Sequence, residues 1–174
     1  MTKRPGAVKF KDFQLSLVGP ELKAGMAAPE FECSAGLTDL VTLAKTPAKA
    51  RLFSVVPSLD TPVCSMQTKK FEESIGGLGD KVACYTVSLD LPFAQGRFCT
   101  AEKINTMKTL SDTHNQSFGK NYGVLIEGLN FPLLSRAIFV VDKGGKITYC
   151  EYVPAVPDHP NYEKAMEALK AAAG

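Results

Sequence analysis

Within Arg51-Leu-Phe-Ser-Val-Val-Pro-Ser-Leu-Asp-Thr-Pro-Val-Cys64, the sequence predicts a buried strand followed by a helix. Residues 51–56 form a continuous run rich in apolar, β-branched and aromatic side chains, which is typical of a strand covered on both faces. Pro57 ends this strand. Thr61 is a favoured helix-capping residue, and Pro62 is favoured at the first helical position. Apolar residues then recur with helical spacing at Phe71, Ile75 and Leu78.

Further strands and helices are predicted on both sides of this unit. Buried strands are expected over 82–89 and 136–142, and a turn over 142–145 leads into a returning strand over 146–152. The remaining predicted elements are a hairpin over 7–18 that turns near Lys11 and Asp12, a helix from Asp90 and Pro92 through Cys99, a short helix over 115–121, and a closing amphipathic helix with Tyr162, Met166 and Leu169 on one face.

The order of these elements predicts an α/β fold. A βαβ unit followed by a ββα unit is the thioredoxin-like arrangement, a central mixed sheet flanked by helices. We expect residues 1–174 to form a single domain in which residues 1–20 are an N-terminal hairpin extension. Parallel strands joined by a crossover place the loop after residue 56 at the carboxyl end of a central strand, where sites in α/β proteins tend to lie.

Composition excludes several classes of protein. The 174 residues include 20 basic and 18 acidic side chains, so neither nucleic acid nor an anionic membrane is expected as a partner. No stretch approaches the ~18 consecutive apolar residues of a membrane span. The basic N-terminus lacks the apolar segment of a secretory signal, and we therefore expect a cytoplasmic protein. Five cysteines are an odd and small number, which favours a reducing compartment over a disulfide scaffold.

Cys64 is the strongest candidate for a reactive residue. If Thr61 caps the helix, Cys64 lies in the first turn, where the backbone N–H groups have no helical partner. These groups and the helix dipole favour a thiolate over a thiol. We expect the Thr61 hydroxyl to accept from the helix N–H groups and to donate toward the sulfur or a bound oxygen, while Pro57 and Pro62 stiffen the loop. The alternative is a cysteine that fills the turn as a small apolar residue.

Two segments resemble the sequence signatures of the peroxiredoxins. Pro57-Ser-Leu-Asp-Thr-Pro-Val-Cys64 reads P-x-x-x-T-x-x-C, their peroxidatic motif. Ser88-Leu-Asp-Leu-Pro-Phe-Ala-Gln-Gly-Arg-Phe-Cys99 is similar to the second signature of the thiol peroxidase subfamily, often called Tpx. The hairpin and the strand over 136–142 fall where that subfamily has them. The resemblance covers essentially the whole chain, and the two segments at this spacing are highly specific.

The resemblance implies a role for each matched residue. Cys64 matches the peroxidatic cysteine, and Cys99 matches the resolving cysteine of the atypical two-cysteine type. Thr61 and Pro57 match the motif partners of Cys64, and Arg136 matches the active-site arginine. The resemblance also implies a homodimer that reduces hydrogen peroxide and alkyl hydroperoxides, with thioredoxin as the reductant and with no flavin, haem, metal or other cofactor.

The implied chemistry sets demands on these residues. Hydroperoxide reduction needs a thiolate in line with the O–O bond and donors for the charge that grows on the leaving oxygen, which the Arg136 guanidinium can supply. The sulfenic acid formed on Cys64 then condenses with a second thiol. A disulfide requires Cα atoms within ~7 Å, which two cysteines near the starts of separate helices do not meet. We therefore expect local unwinding around Cys64 and Cys99, which Gly96 would ease.

Apolar side chains are expected to line the approach to Cys64 and to favour alkyl hydroperoxides over hydrogen peroxide. The residues in this predicted lining are Pro62, Phe93, Leu133 and Leu134.

Several alternatives stay open at this point. Arg136 could pair at a strand edge with an acid such as Glu127, and Cys99 could be a packing thiol. A cysteine hydrolase would pair Cys64 with His114 or His159. A general disulfide oxidoreductase would have a CxxC at the helix start, and a non-enzymatic protein would use the disulfide as a redox switch. Structural roles are expected for Cys33, Cys84 and Cys150, and a solvated helix face for Lys69, Lys70, Glu72 and Glu73.

Overall fold

The computed structural model describes residues 1–174, which form two β-sheets and four α-helices. No helix combines the length and the apolar character needed to cross a membrane. The strands are β1 (Lys3–Phe10), β2 (Phe13–Val18), β3 (Glu32–Ser34), β4 (Leu40–Thr42), β5 (Ala50–Val55), β6 (Val82–Ser88), β7 (Lys108–Ser111), β8 (Leu125–Glu127), β9 (Leu133–Leu134), β10 (Ala137–Val141) and β11 (Ile147–Tyr152). The helices are α1 (Pro62–Ile75), α2 (Pro92–Glu102), α3 (Ser117–Asn121) and α4 (Tyr162–Ala173).

The larger sheet has the strand order β11-β10-β5-β6-β7-β3-β4 and is built around β5, which is buried along its whole length. β5 pairs in parallel with β6, as the predicted crossover through α1 requires, and antiparallel with β10. β11 pairs antiparallel with β10, and with α4 it completes the predicted ββα unit. The α/β, thioredoxin-like architecture is confirmed.

Side chains of β5 alternate between two apolar cores. Phe53 and Val55 belong to a core of 17 buried residues on one face of the sheet. Leu52 belongs to a core of 13 buried residues on the other face, together with Phe71 of α1 and Leu169 of α4. Because apolar side chains cover both faces of β5, its carboxyl end is held in position. The loop that leads to α1 begins there.

The segment 100–134 contains three strands that the sequence analysis did not predict. β7, β8 and β9 each have four residues or fewer, which is too short for alternation to be recognised. β7 owes its extended conformation to pairing in parallel with β6. Long-range pairing, rather than local sequence, defines these strands.

The predicted N-terminal hairpin is present, and its first strand begins at Lys3, four residues earlier than predicted. Lys11 has a φ of 53° at the turn between β1 and β2. β2 also pairs with β8, and β8 pairs with β9, which gives a second sheet in the order β1-β2-β8-β9. The hairpin is therefore integrated with the chain that leads into β10.

Candidate active site

Cys64 lies in the first turn of α1, as predicted. Thr61 precedes the helix with extended backbone, and Pro62 is the first helical residue. The Cys64 side chain is fully buried, packs with Val56 and Leu59, and is covered in part by Phe98. The thiol is thus enclosed beyond the carboxyl end of β5, in a helical turn whose N–H groups have no helical acceptor.

Arg136 directly precedes β10, the strand that pairs antiparallel with β5, and its guanidinium reaches the Cys64 sulfur. Arg136 is 1% exposed, and its Nη1 lies 3.4 Å from Cys64 Sγ. Arg136 forms no salt bridge, and Glu127 pairs with Lys3 instead, at 2.8 Å. The alternative of a surface pair between Arg136 and Glu127 is therefore wrong. The Arg136 guanidinium is thus a buried cation whose charge no carboxylate offsets.

Thr61 and Pro57 lie in the loop between β5 and α1, but the Thr61 hydroxyl does not cap the helix. It donates to the Ser58 carbonyl at 2.9 Å, and no side-chain capping bond is formed. The expectations that this hydroxyl caps the helix and that it donates toward the sulfur were both wrong, because the turn over 58–61 brings the Ser58 carbonyl within reach of its proton. With its proton engaged there, the Thr61 oxygen retains lone pairs that can accept a hydrogen bond from a hydroperoxide. Pro57 is buried.

Asp90 connects the two signature segments. It was expected at the start of the second helix, but Leu91 directly precedes α2 and no side chain caps that helix. Asp90 Oδ1 accepts from the Ser58 hydroxyl at 2.8 Å, and Oδ2 accepts from the Leu59 N–H at 2.8 Å. The carboxylate thus fastens the loop before Cys64 to the end of β6. Local sequence contains no signal for this role, because both partners belong to a different loop.

Gln67 is a site residue that the sequence analysis missed. Its side chain is buried, its Nε2 donates to Ser54 Oγ at 2.7 Å, and its Oε1 accepts from Arg136 Nη1 at 2.9 Å. The bond to Ser54 fixes the orientation of the amide, so the carbonyl oxygen points at the guanidinium. A signal was available, since Gln67 follows Cys64 by one helical turn and lies on the same buried face.

Cys99 lies in the last turn of α2, in agreement with the helix predicted through Cys99, and the expectation that both cysteines lie near helix starts was wrong. Its side chain is half-buried and packs against the core beneath α1. Burial raises the pKa of the Cys99 thiol, and a hydrogen bond with Thr109 opposes that increase. The neighbouring Phe98 packs against the cluster that contains Cys64. In this conformation both cysteines are free thiols.

The predicted apolar lining is only partly accessible. Leu134 is fully buried in the larger core, so the expectation that it lines the approach to Cys64 was wrong. Leu133 is half-buried against the core of the smaller sheet. Phe93 is 65% exposed and Pro62 is exposed, each at the first turn of its helix.

The other three cysteines lie outside the apolar cluster that contains Cys64. Burial raises the pKa of the Cys33 thiol, with Asp112 adding to the increase, and raises the pKa of Cys84 to about 12. Burial also raises the pKa of Cys150, whose thiol donates to the Leu22 carbonyl at 3.2 Å. These thiols stay protonated at neutral pH and pack as structural residues.

Neither histidine is placed to act as a base for Cys64. His114 Nε2 lies 3.8 Å from a Glu32 carboxylate oxygen, and His159 Nδ1 lies 2.7 Å from the Tyr162 hydroxyl. Neither imidazole forms a hydrogen bond with the sulfur. The structure therefore contradicts the cysteine hydrolase alternative.

Glu72 is more than part of a solvated helix face. Its carboxylate accepts three backbone N–H groups from the segment after α2, at 2.7 Å from Asn105, 2.8 Å from Thr106 and 2.7 Å from Met107. Burial by itself raises the pKa of Glu72, but these hydrogen bonds outweigh it and hold the pKa below its usual range. The segment that follows Cys99 is thereby fastened to α1.

Replacing Glu72 with glutamine is expected to lower the free energy of unfolding by about 1 kcal/mol at pH 7, because only one carbonyl oxygen remains for three donors. The folded-state pKa is lowered, so the carboxylate stabilises the fold above roughly pH 4.3 and loses this effect as the pH falls through the folded-state value. Urea unfolding at pH 7 and pH 3 checks this, with Glu73→Gln as the exposed control. An equal difference at both pH values would contradict it.

Comparison with known proteins gives similarity along almost the whole chain. The family model described as Redoxin matches residues 23–166 and leaves out β1 and β2. A thiol peroxidase of Halalkalibacterium halodurans is 49% identical over 166 residues, 95% of this chain and 98% of that protein. A thiol peroxidase of Bacillus subtilis is 46% identical over 164 residues, 94% of this chain and 96% of that protein. The crystal structure of a peroxiredoxin-like protein from Aquifex aeolicus matches with a TM-score of 0.88 at 38% identity, covering 97% of this chain and 99% of that one. The chain therefore belongs to the Redoxin family, within the thiol peroxidase subfamily of the peroxiredoxins, and is an enzyme that reduces peroxides with a thiol.

Proposed function

We propose that Cys64 and Cys99 are the two thiols of the catalytic cycle. The Cys64 thiolate attacks one oxygen of the hydroperoxide, so that an S–O bond forms as the O–O bond breaks. The leaving oxygen takes up a proton and departs as an alcohol, or as water from hydrogen peroxide, and leaves a sulfenic acid on Cys64. The Cys99 thiol condenses with the sulfenic acid and releases water. Thioredoxin, an external dithiol, then reduces the Cys64–Cys99 disulfide by thiol–disulfide exchange.

The observation that carries this proposal is the 3.4 Å contact between Arg136 Nη1 and Cys64 Sγ. A buried guanidinium without a carboxylate gains most from a thiolate counterion. Its planar set of donors can hold the sulfur and also polarise the oxygen that departs. The free lone pairs of the Thr61 hydroxyl add an acceptor for the proton of the peroxide.

Resolution by Cys99 requires α2 to unwind, and the packing of α2 supports this step. Gln95 is its one fully buried residue, and its amide is held by Ser88 Oγ at 3.1 Å and the Leu110 carbonyl at 3.0 Å. Gly96 lowers the intrinsic stability of the same helix. A segment with so little buried apolar surface opens at low cost. Since Phe98 covers Cys64, its departure would uncover the sulfenic acid and release Cys99 together.

One equivalent of hydroperoxide is expected to convert the reduced protein to a Cys64–Cys99 disulfide, identified by peptide mass mapping. In Cys99→Ser the first turnover should keep its rate, because Cys99 does not take part in the attack on the peroxide. The reaction should then stop at a sulfenic acid that dimedone traps. Turnover coupled to thioredoxin should fall by roughly 10²-fold.

Cys84→Ser is the matched control, since Cys84 is a buried cysteine on β6 without a role in the cycle. It should form the same disulfide at the same rate. A disulfide that joins Cys64 to Cys150, or to a second molecule, would reassign the resolving thiol. Reduction of insulin disulfides without peroxide would instead favour a general disulfide oxidoreductase.

Partners, compartment and substrate preference belong to the same proposal. We propose a homodimer of single-domain chains, residues 1–174, that acts in the cytoplasm, where a reducing environment suits five free thiols. Sedimentation of the reduced protein tests the dimer.

The exposed apolar side chains of Phe93 and Pro62 would favour alkyl hydroperoxides. The ratio of kcat/KM for cumene hydroperoxide and hydrogen peroxide tests that preference.

A further inference from the structure

The Arg136 guanidinium is held in place by two neutral oxygen atoms. Besides the bond from Nη1 to Gln67, Nη2 donates to the backbone carbonyl of Val156 at 2.9 Å, and Nε has no partner. Neutral acceptors orient the cation without neutralising it. The direction of the guanidinium therefore depends on where the Val156 carbonyl is held.

Val156 lies between β11 and α4, in a segment that contains no helix and no strand. The N-terminal hairpin holds this segment through Lys9 of β1. The Lys9 N–H donates to the Pro154 carbonyl at 2.8 Å, and the Val156 N–H donates to the Lys9 carbonyl at 2.9 Å. Together they form a short parallel bridge between Lys9 and Ala155. The Val156 carbonyl is thus presented to Arg136 by a strand from the other end of the chain.

Apolar packing strengthens the same connection. The Val156 side chain packs against a cluster formed by Val8, Leu15, Leu17 and Ile126, which belong to the hairpin and to β8. The chain just before Arg136 is held by the same sheet, since β9 pairs with β8 and the Ser135 N–H donates to the Val124 carbonyl at 2.7 Å. The smaller sheet therefore fixes the position of the backbone directly before Arg136. It also fixes the Val156 carbonyl, which accepts a hydrogen bond from the Arg136 side chain.

We propose that the N-terminal hairpin is a positioning element for the active-site arginine, and that the two backbone hydrogen bonds of Lys9 aim the Arg136 guanidinium at Cys64. The inference rests on the proposed role of Arg136 in the peroxide step. It assigns a part in the reaction to a hairpin that is otherwise only an extension of the fold.

Lys9→Pro tests the proposal because it removes one of the two bridging donors. The N–H and carbonyl of Lys9 both face the 154–156 segment. In an antiparallel pair of strands, successive residues direct their backbone groups alternately toward and away from the partner strand. The backbone groups of Lys9 therefore take no part in the hydrogen bonds between β1 and β2. Lys9→Ala is the reference, since it removes the same side chain and retains the N–H. Gln14→Pro is the matched control, because Gln14 lies opposite Lys9 and is exposed.

The peroxide step, followed by stopped flow on the reduced protein, is expected to be about 10-fold slower in Lys9→Pro than in Lys9→Ala, because misplacement of a catalytic donor by a fraction of an ångström has effects of this size. Formation of the disulfide from the sulfenic acid should keep its rate. Gln14→Pro should change neither step. A merely structural role of the hairpin would slow both steps or neither.

Combination with Arg136→Lys gives the decisive measurement. If the hairpin acts through the guanidinium, Lys9→Pro should change the peroxide step less than about twofold in that background, since the effect is already lost. An undiminished 10-fold effect, or a Lys9→Pro protein as fast as Lys9→Ala, would overturn the proposal. If Arg136→Lys alone left the peroxide step unchanged, the proposed function of Arg136 would fail instead.

Val156→Pro provides a second route if Lys9→Pro does not fold. It removes the other donor of the bridge, leaves the hairpin intact and retains the carbonyl that accepts from Arg136. The expected result is the same selective slowing of the peroxide step. A Val156→Pro protein that folds and reacts at the original rate would also overturn the inference.

Discussion

Cys64→Ser is expected to lower peroxide reduction by more than about 10³-fold, which is the typical consequence of removing a nucleophile. A serine hydroxyl stays protonated at neutral pH and has no adjacent general base here, since neither histidine reaches this position. The buried side chain can keep its contact with Arg136, so the fold should tolerate the change. Peroxide consumption in the presence of thioredoxin and its reductase measures the loss.

Cys150→Ser is the control for this substitution. Cys150 donates to the Leu22 carbonyl, a bond that a serine hydroxyl can also make, and lies outside the site. The peroxidase activity of the Cys150→Ser variant should equal that of the unmodified protein. If Cys64→Ser retained turnover, the assignment of Cys64 as the nucleophile would be overturned.

Arg136→Lys is expected to lower kcat/KM for hydroperoxide by roughly 10²- to 10³-fold, a loss comparable to removal of one oxyanion donor. Lysine keeps the positive charge, but its single ammonium cannot donate to Gln67, Val156 and the sulfur in the geometry of a planar guanidinium. The rate of the first turnover, measured by stopped flow, separates this effect from any effect on resolution.

Arg51→Lys supplies a matched comparison. Arg51 of β5 is also a buried arginine without a carboxylate partner. It is 5% exposed and donates to the Thr46 hydroxyl and the Asp142 carbonyl. Its substitution should lower the thermal midpoint without slowing the peroxide step. If the two variants lost the same activity, Arg136 would have no specific role in the chemistry.

Local pattern was sufficient for the elements that have a strong period or a clear end signal. The β-branched run over 51–56 and the Thr61-Pro62 pair defined β5 and the start of α1 to within one residue. Local pattern was insufficient for β7, β8 and β9, where pairing with distant strands imposes the extended conformation. Local pattern also gave the wrong hydrogen-bond partners for side chains that can reach more than one group. Thr61 donates backward to Ser58, and Glu72 reaches across to the segment after α2.

The sequence by itself determined the place of Cys64 in the first turn of α1, the βαβ and ββα units, and the family. Each of these depends on short segments whose residues are adjacent or one helical turn apart. The tertiary structure alone decided what surrounds that thiol. It placed Arg136 3.4 Å from the sulfur, oriented Gln67 through Ser54, anchored the loop on Asp90 and brought the hairpin to Val156. These contacts join distant parts of the chain, and only the pairing of the strands and the burial of both faces of the sheet bring them within hydrogen-bonding distance.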